Sequence, residues 1–321
     1  MIHGIDHFHW HTNVALSENG TIAYLPAERV REAELVWRDR VGNVTPVPGG
    51  RGPFESLTLS PDGREAVAHL FEGAKSQVWI VDVERGAKRL LVSDGDSYAP
   101  IWSRDGAYVT YASRRGGKAT LYRRRADGTG SEERLVGSRL VYPSPEDWSP
   151  DGRSLLFTEY TGRGDIDIWI YSGGEPAPLF ASRFRETSPR FSPDGRFVAF
   201  AADDGGVSHV YVQPFPGPGP RTTVSIDEGG GPQWGAGGRE LIYEGAKGMM
   251  VVAVQTAPVL RVGQPQLLSE QNHPTGGLAV TRAGPRFLEV SHRTMAEGPL
   301  ELRVVLNWFE ELERLAPHPR P

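Results

Sequence analysis

Three histidines near the N-terminus, His7, His9 and His11, alternate with Phe8 and Trp10. Alternate residues of an extended strand share a face, so this spacing turns three imidazoles one way. Such a face can hold Zn²⁺ or another borderline divalent metal. The competing reading, and the one favoured here, is a terminal strand with solvent-facing histidines. The expectation is therefore no cofactor, with a divalent metal as the alternative. A second constellation is Asp147, Arg190 and Gln233, each five residues ahead of a glycine (Gly152, Gly195, Gly238), with Glu146 and Glu186 close by. An acid, a base and an amide at a constant interval can bind a charged ligand, or they can pair with one another and fasten the scaffold.

Other chemistry is excluded or weak. There is no cysteine, so disulfides, thiolate metal sites and thiol nucleophiles are ruled out. No Gly-x-Ser-x-Gly elbow, phosphate-binding Walker loop or His-Glu-x-x-His helix occurs. Arg163-Gly164-Asp165 reads as a chance match to an adhesion tripeptide. Asp94-Gly95-Asp96-Ser97 resembles the start of a calcium loop but lacks the later ligands. Arg123-Arg124-Arg125, with Arg114, Arg115 and Lys118, forms a basic stretch that could meet an acidic partner. A solvated strand face is preferred, because the net charge is −5 and no aromatic residues interleave for base stacking. Nucleic acid is therefore not expected as a partner.

The elements that must position these residues are set by a repeated turn. Ser192-Pro193-Asp194-Gly195 recurs as Ser149-Pro150-Asp151-Gly152, Ser60-Pro61-Asp62-Gly63 and Ser103-Arg104-Asp105-Gly106. Weaker copies end at Gly20, Gly238 and Gly284, and the seven final glycines are spaced by 43 or 46 residues. Proline presets φ at the second turn position, aspartate bonds the backbone ahead of it, and glycine accepts positive φ. Aromatic and β-branched residues on both sides make each copy a hairpin. Each repeat offers four short strands, which is the content of a propeller blade.

The expectation is one all-β domain over residues 1–321, a seven-bladed β-propeller with a six-bladed ring plus extra terminal strands as the alternative. The blades are placed at about 12–48, 54–92, 97–136, 143–180, 187–226, 230–268 and 276–306, followed by a C-terminal helix over 307–315. N-terminal residues could supply the strand that the last blade lacks. Trp102, Trp148, Phe191 and Trp234, which end the first strands, are expected to pack between blades. Asp147, Arg190 and Gln233 then fall on three successive inner strands and form a polar arc near the axis. His69, His209, His273 and His292 share no position in the repeat, which counts against a metal-dependent propeller lyase or hydrolase.

The Ser-Pro-Asp-Gly hairpins resemble the TolB-like propeller repeat, a relative of WD repeats. Two further strings, Val210 to Gly219 and Val304 to Leu312, resemble the C-terminal propeller region of bacterial receptor-type serine/threonine kinases. The resemblance runs from Ser17 to Pro317 and implies a propeller that follows a kinase domain and a membrane helix. Neither precedes the repeats here, and no kinase motif is present, so kinase activity does not carry over. The expected function is non-catalytic binding or sensing of a peptide, a protein or a small ligand at one mouth of the ring. A third reading is the detached sensor end of a receptor kinase. No apolar run approaches a membrane span, and Met1 to Leu16 does not read as a signal peptide. That points to the cytoplasm, or to an extracytoplasmic site if the chain is a piece of a receptor kinase.

Overall fold

The structure is a computed structural model that describes residues 14–17, 21–24, 33–72, 75–137, 142–160, 165–203, 205–217, 219–270, 278–281, 286–292 and 303–306. His7, His9 and His11, Arg163-Gly164 and the helix expected over 307–315 lie outside these residues. The chain divides into two compact units, residues 1–32 with 293–321, and residues 33–292. In the first unit, β1 (Val14–Leu16), β2 (Ile22–Tyr24) and β28 (Arg303–Val305) form a three-stranded sheet in the order β1-β2-β28.

The second unit is a ring of six sheets among the described residues. The early strands are β3 (Ala33–Asp39), β4 (Val44–Gly52), β5 (Phe54–Leu59), β6 (Glu65–Glu72), β7 (Lys75–Asp82) and β8 (Lys88–Val92). Blade 1 is β5-β6-β7-β8. Blade 2 is β9 (Ser97–Trp102), β10 (Tyr108–Ser113), β11 (Thr120–Arg125) and β12 (Glu133–Val136). Blade 3 is β13 (Ser144–Trp148), β14 (Leu155–Tyr160), β15 (Ile166–Tyr171) and β16 (Ala177–Phe180). Blade 4 is β17 (Glu186–Phe191), β18 (Phe197–Asp203), β19 (Ser208–Pro214) and β20 (Thr222–Thr223). Blade 5 is β21 (Gly229–Gly235), β22 (Glu240–Gly245) and β23 (Gly248–Gln255), with both β24 (Arg261–Val262) and β25 (Gln266–Ser269) paired to β23. Blade 6 joins the two ends of the unit: β26 (Leu278–Val280) and β27 (Arg286–His292) pair with β3 and β4. Its β26 contacts both β5 of blade 1 and β21 of blade 5, so the ring is closed.

The expected seven blades are thus corrected to six. The strands read as repeat one split between sheets. Its outer pair, β3 and β4, completes the last blade, and its first hairpin, β1-β2, pairs with β28 instead. A sheet edge is satisfied by any strand of matching register, and closing the ring from both ends removes two edges at once. Arg38 on β3 fastens this closure: its Nε donates to the carboxylate of Glu289 on β27 at 2.9 and 3.1 Å, and Glu289 is 1% exposed.

The turns fold by one local network. Ser60, Ser103, Ser149 and Ser192 each donate their hydroxyl to the aspartate two residues on, at 2.5–2.6 Å. Each hydroxyl oxygen also accepts the amide five residues on, from Glu65, Tyr108, Ser154 and Phe197, at 2.9–3.0 Å. The turn glycines lie at φ near +70°, for example Gly195 at 71°, where a Cβ is disfavoured.

The core lies between blades rather than inside them, because one sheet cannot bury both of its own faces. Trp102 packs with Val67, Val78 and Ile80 of blade 1. Trp148 meets Leu121 and Leu135 of blade 2, and Phe191, 1% exposed, meets Leu156 and Ile168 of blade 3. Trp234 packs against Ala199, Val210 and Val212 of blade 4.

Candidate functional site

The inner strands carry β-bulges that aim the candidate residues. Register breaks skip Ala99-Pro100 on β9, Glu146 on β13, Ser188-Pro189 on β17 and Gly231-Pro232 on β21. Ala99 and Ser188 adopt positive φ, 48° and 53°, at the same place that Gly231 (54°) occupies in its blade. A non-glycine residue held there costs roughly 1–2 kcal/mol. Bulges re-aim the side chains beside them and recur next to functional sites.

Four side chains meet across three blades. The Arg104 guanidinium, in the blade 2 turn, donates from Nη2 to Asp147 Oδ2 at 2.7 Å and from Nε to the Trp148 carbonyl at 2.7 Å. Asp147 Oδ2 also accepts the amide of Phe191 in blade 4 at 2.9 Å. Arg190 of blade 4 donates from Nη1 to Glu146 Oε2 at 2.7 Å and to the Glu146 carbonyl at 3.2 Å. Glu146 Oε1 accepts from Thr158 at 3.3 Å. Burial raises the Asp147 carboxyl above its ordinary range, and Arg104, Arg190 and the Phe191 amide oppose that rise. The charges balance pairwise, so the arrangement ties blades 2, 3 and 4 together. The two arginines keep 20–30% of their side-chain surface exposed.

The structure therefore brings Asp147, Arg190 and Glu146 together. Gln233 takes no part in their hydrogen bonds, although the next residue does: Trp234 Nε1 donates to the Arg190 carbonyl at 3.1 Å. Glu186 lies at the opposite end of β17 from Arg190, is 3% exposed, and accepts from the Ser182 hydroxyl. It serves the connection from β16 to β17. Arg104 was missed from the sequence. The available signal was its own turn, Ser-Arg-Asp-Gly, the one well-formed copy with a charge in place of proline.

The remaining candidates resolve into structural roles. Asp94 fastens its loop, accepting from the Asp96 amide and the Ser97 hydroxyl on one oxygen and from the Ser113 hydroxyl on the other. Four of the six cations of the basic stretch pair with carboxylates of the chain: Arg114 with Asp96, Arg115 with Asp94 and Glu132, Arg123 with Glu133 and Arg125 with Asp127, while Arg124 donates to the Gly128 carbonyl. Among the described residues no three His, Asp or Glu side chains cluster as metal ligands. His69 is buried, and burial depresses its imidazole to about 4. Among the described residues, clefts open on the ring. One of about 260 Å³ lies between the turns of blades 2 and 3, and one of about 360 Å³ is lined by Asp165, Arg183, Phe184, Arg185 and Asp203.

A closed ring of six four- or five-stranded blades defines the β-propeller class. No family model matches the chain. The Tol-Pal system protein TolB of Anaeromyxobacter dehalogenans is 30% identical over 174 residues, which cover 51% of this chain and 39% of that protein. The chain thus spans about two fifths of the curated TolB relative. An uncharacterized protein of Agrobacterium fabrum is 30% identical over 200 residues, 58% of this chain and 67% of that protein. The structure of a putative TolB from Agrobacterium tumefaciens superposes with a TM-score of 0.63 at 16% identity, covering 81% of this chain and 98% of that one. By sequence similarity and fold the chain is a TolB-like β-propeller. No helix among the described residues is long and apolar enough to cross a membrane.

Proposed function

We propose that the ring is a non-catalytic protein-binding module that engages its partner at one mouth, around Asp147, Arg190 and Gln233. The observation that carries this reading is the likeness to TolB, a protein named for the Tol-Pal system. The strained bulges at Ala99 and Ser188 support the choice of mouth, since backbone strain persists where the surroundings over-determine it and tends to gather at functional sites. Rigid blades presenting loops suit recognition. In this reading the module needs no cofactor and binds no nucleic acid. Stoichiometric metal that survives dialysis of the purified protein would overturn it in favour of a metal-dependent lyase or hydrolase.

The test is capture of proteins from a source-cell lysate on the immobilised chain, with Arg190→Met and Gln233→Ala rings as controls and circular dichroism to check folding. Enrichment of one protein on the wild-type ring, lost on the folded Arg190→Met ring, is expected. Equal retention by both variants removes the mouth from the reading, and the absence of any enriched protein removes the module. A second reading makes the ring the sensor end of a receptor kinase. It is favoured by the strings Val210 to Gly219 and Val304 to Leu312. The native size of the protein separates the two: a band near 35 kDa favours a free-standing ring, and a much larger membrane-bound band favours the sensor.

A further inference from the structure

In blades 1 to 4 the strands that pair are consecutive in the chain, so a hairpin joins each to its neighbour. Blade 6 has one seam where no hairpin does. There β27 pairs with β3 through seven residue pairs, from Arg286 with Asp39 at one end to His292 with Ala33 at the other. Strands that no short loop joins must meet by closing a long one, and that cost grows with loop length. The Asp39 end of the seam carries the ion pair of Arg38 with Glu289. Beyond the Ala33 end the same two stretches of chain meet again. Ile22, Ala23 and Tyr24 of β2 pair antiparallel with Val305, Val304 and Arg303 of β28.

The spacing of the two ladders is matched. Eight residues, 25–32, separate Tyr24 from Ala33, and ten, 293–302, separate His292 from Arg303. The two segments therefore run antiparallel through both ladders, with nearly equal lengths of chain between them. This is the connectivity of one antiparallel ribbon with an internal loop. While β2 holds β28, parting of β27 from β3 leaves the ends of the seam tethered by those short stretches. Once β2 and β28 part, the ends are linked only through the other blades. β2 is paired on its other edge with β1, through Val14, Ala15 and Leu16, so β2 is the middle strand of its sheet and β28 an edge. The edge strand is the one free to peel.

We propose that the pairing of β2 with β28 is a clasp: it stands in for the hairpin that the blade 6 seam lacks and governs how often the ring opens there. It acts on β27 and β3 through the chain alone and needs no contact between the two sheets. Peeling of β28 from β2 is the step that frees the seam, which makes blade 6 the place where the ring opens first. The inference rests on strand pairing and chain length and is independent of the protein-binding reading.

The test is hydrogen exchange of the full chain, read by mass spectrometry on peptides covering β3 and β27 and, as reference, β14 in blade 3. Val304→Pro/Val305→Pro removes both amides; neighbouring amides of a strand point to opposite sides, so one of the two faces β2. Exchange at β3 and β27 should rise about tenfold while β14 is unchanged, because an opened seam must close again through a longer loop. Val304→Thr/Val305→Thr, which keeps both amides, should leave the seam at the wild-type rate. Ala23→Cys/Val304→Cys places two thiols directly across the ladder in a chain with no other cysteine. Oxidising that pair should slow exchange at β3 and β27, and reduction should reverse it, which keeps the test decisive if the proline variant does not fold. Unchanged exchange at the seam on oxidation, an unchanged rate in a folded proline variant, or an equal rise at β14 would each overturn the proposal.

Discussion

Acidification should unlock blade 1 through His69. This residue lies on β6 at 6% exposure, 2.7 Å from the Ser76 hydroxyl oxygen, with its ring against Phe71. Ser76 has one hydroxyl proton, and it donates that proton to the Ser97 carbonyl at the entrance to blade 2. The hydroxyl must therefore accept from His69, which fixes the neutral imidazole as the Nε2–H tautomer. Protonating Nδ1 buries a cation, and burial depresses the folded-state pKa to about 4 from an ordinary 6.5. A histidine whose pKa falls on folding is bound by more protons when unfolded. Its contribution is complete above pH 6.5 and is lost as pH falls from 6.5 towards 4. Two and a half units correspond to roughly 3 kcal/mol. The assay is urea denaturation of the wild type and His69→Gln at steps from pH 7.5 to pH 4. Glutamine keeps a donor for Ser76 and does not titrate, while the carboxylates that also respond to acid are common to both proteins. The wild type should lose about 3 kcal/mol more than the variant over that window. Parallel profiles, or an imidazole that titrates near 6.5 by NMR in the folded protein, would refute the reasoning.

Three further outcomes follow from the packing. Arg38→Met strips Glu289 of its guanidinium at the closure of blade 6 and should cost about 3–5 kcal/mol in denaturant titrations, since it breaks a buried ion pair. Gly86→Ala places a Cβ 1.6 Å from the Pro48 carbonyl at φ 72°, so it should force the blade 1 turn away from β4 and lower the thermal midpoint sharply; an unchanged melting curve would contradict that contact. Ser192→Ala leaves the buried Phe197 amide without its acceptor and should cost about 1–3 kcal/mol, whereas Ser192→Thr, which keeps the hydroxyl, should recover most of that.

The propeller was legible because its signal is local and repeated. Serine, aspartate and glycine at fixed offsets specify a hairpin wherever they occur, and the network at Ser60, Ser103, Ser149 and Ser192 forms within six residues of chain. The inter-blade aromatics Trp102, Trp148 and Phe191 followed from the same period. Equal offsets put Asp147 and Arg190 on successive inner strands, but Asp147 pairs with Arg104, a turn residue at another offset, and Arg190 pairs with Glu146. Blade count was not legible. The turn at Ser17 is spelled much like the others, yet its hairpin pairs with β28, while β3 and β4 complete a blade begun some 240 residues later. Turn chemistry decides that two strands meet. Which sheet edge they then cover depends on register and on closing the ring, and neither is written in a local window. Gln233 takes no part in the hydrogen bonds of Asp147, Arg190 and Glu146 for a related reason: a shared offset sets a residue's height on the inner strand, but its partners are chosen by the bulges and by Arg104, a side chain from the turn of another blade.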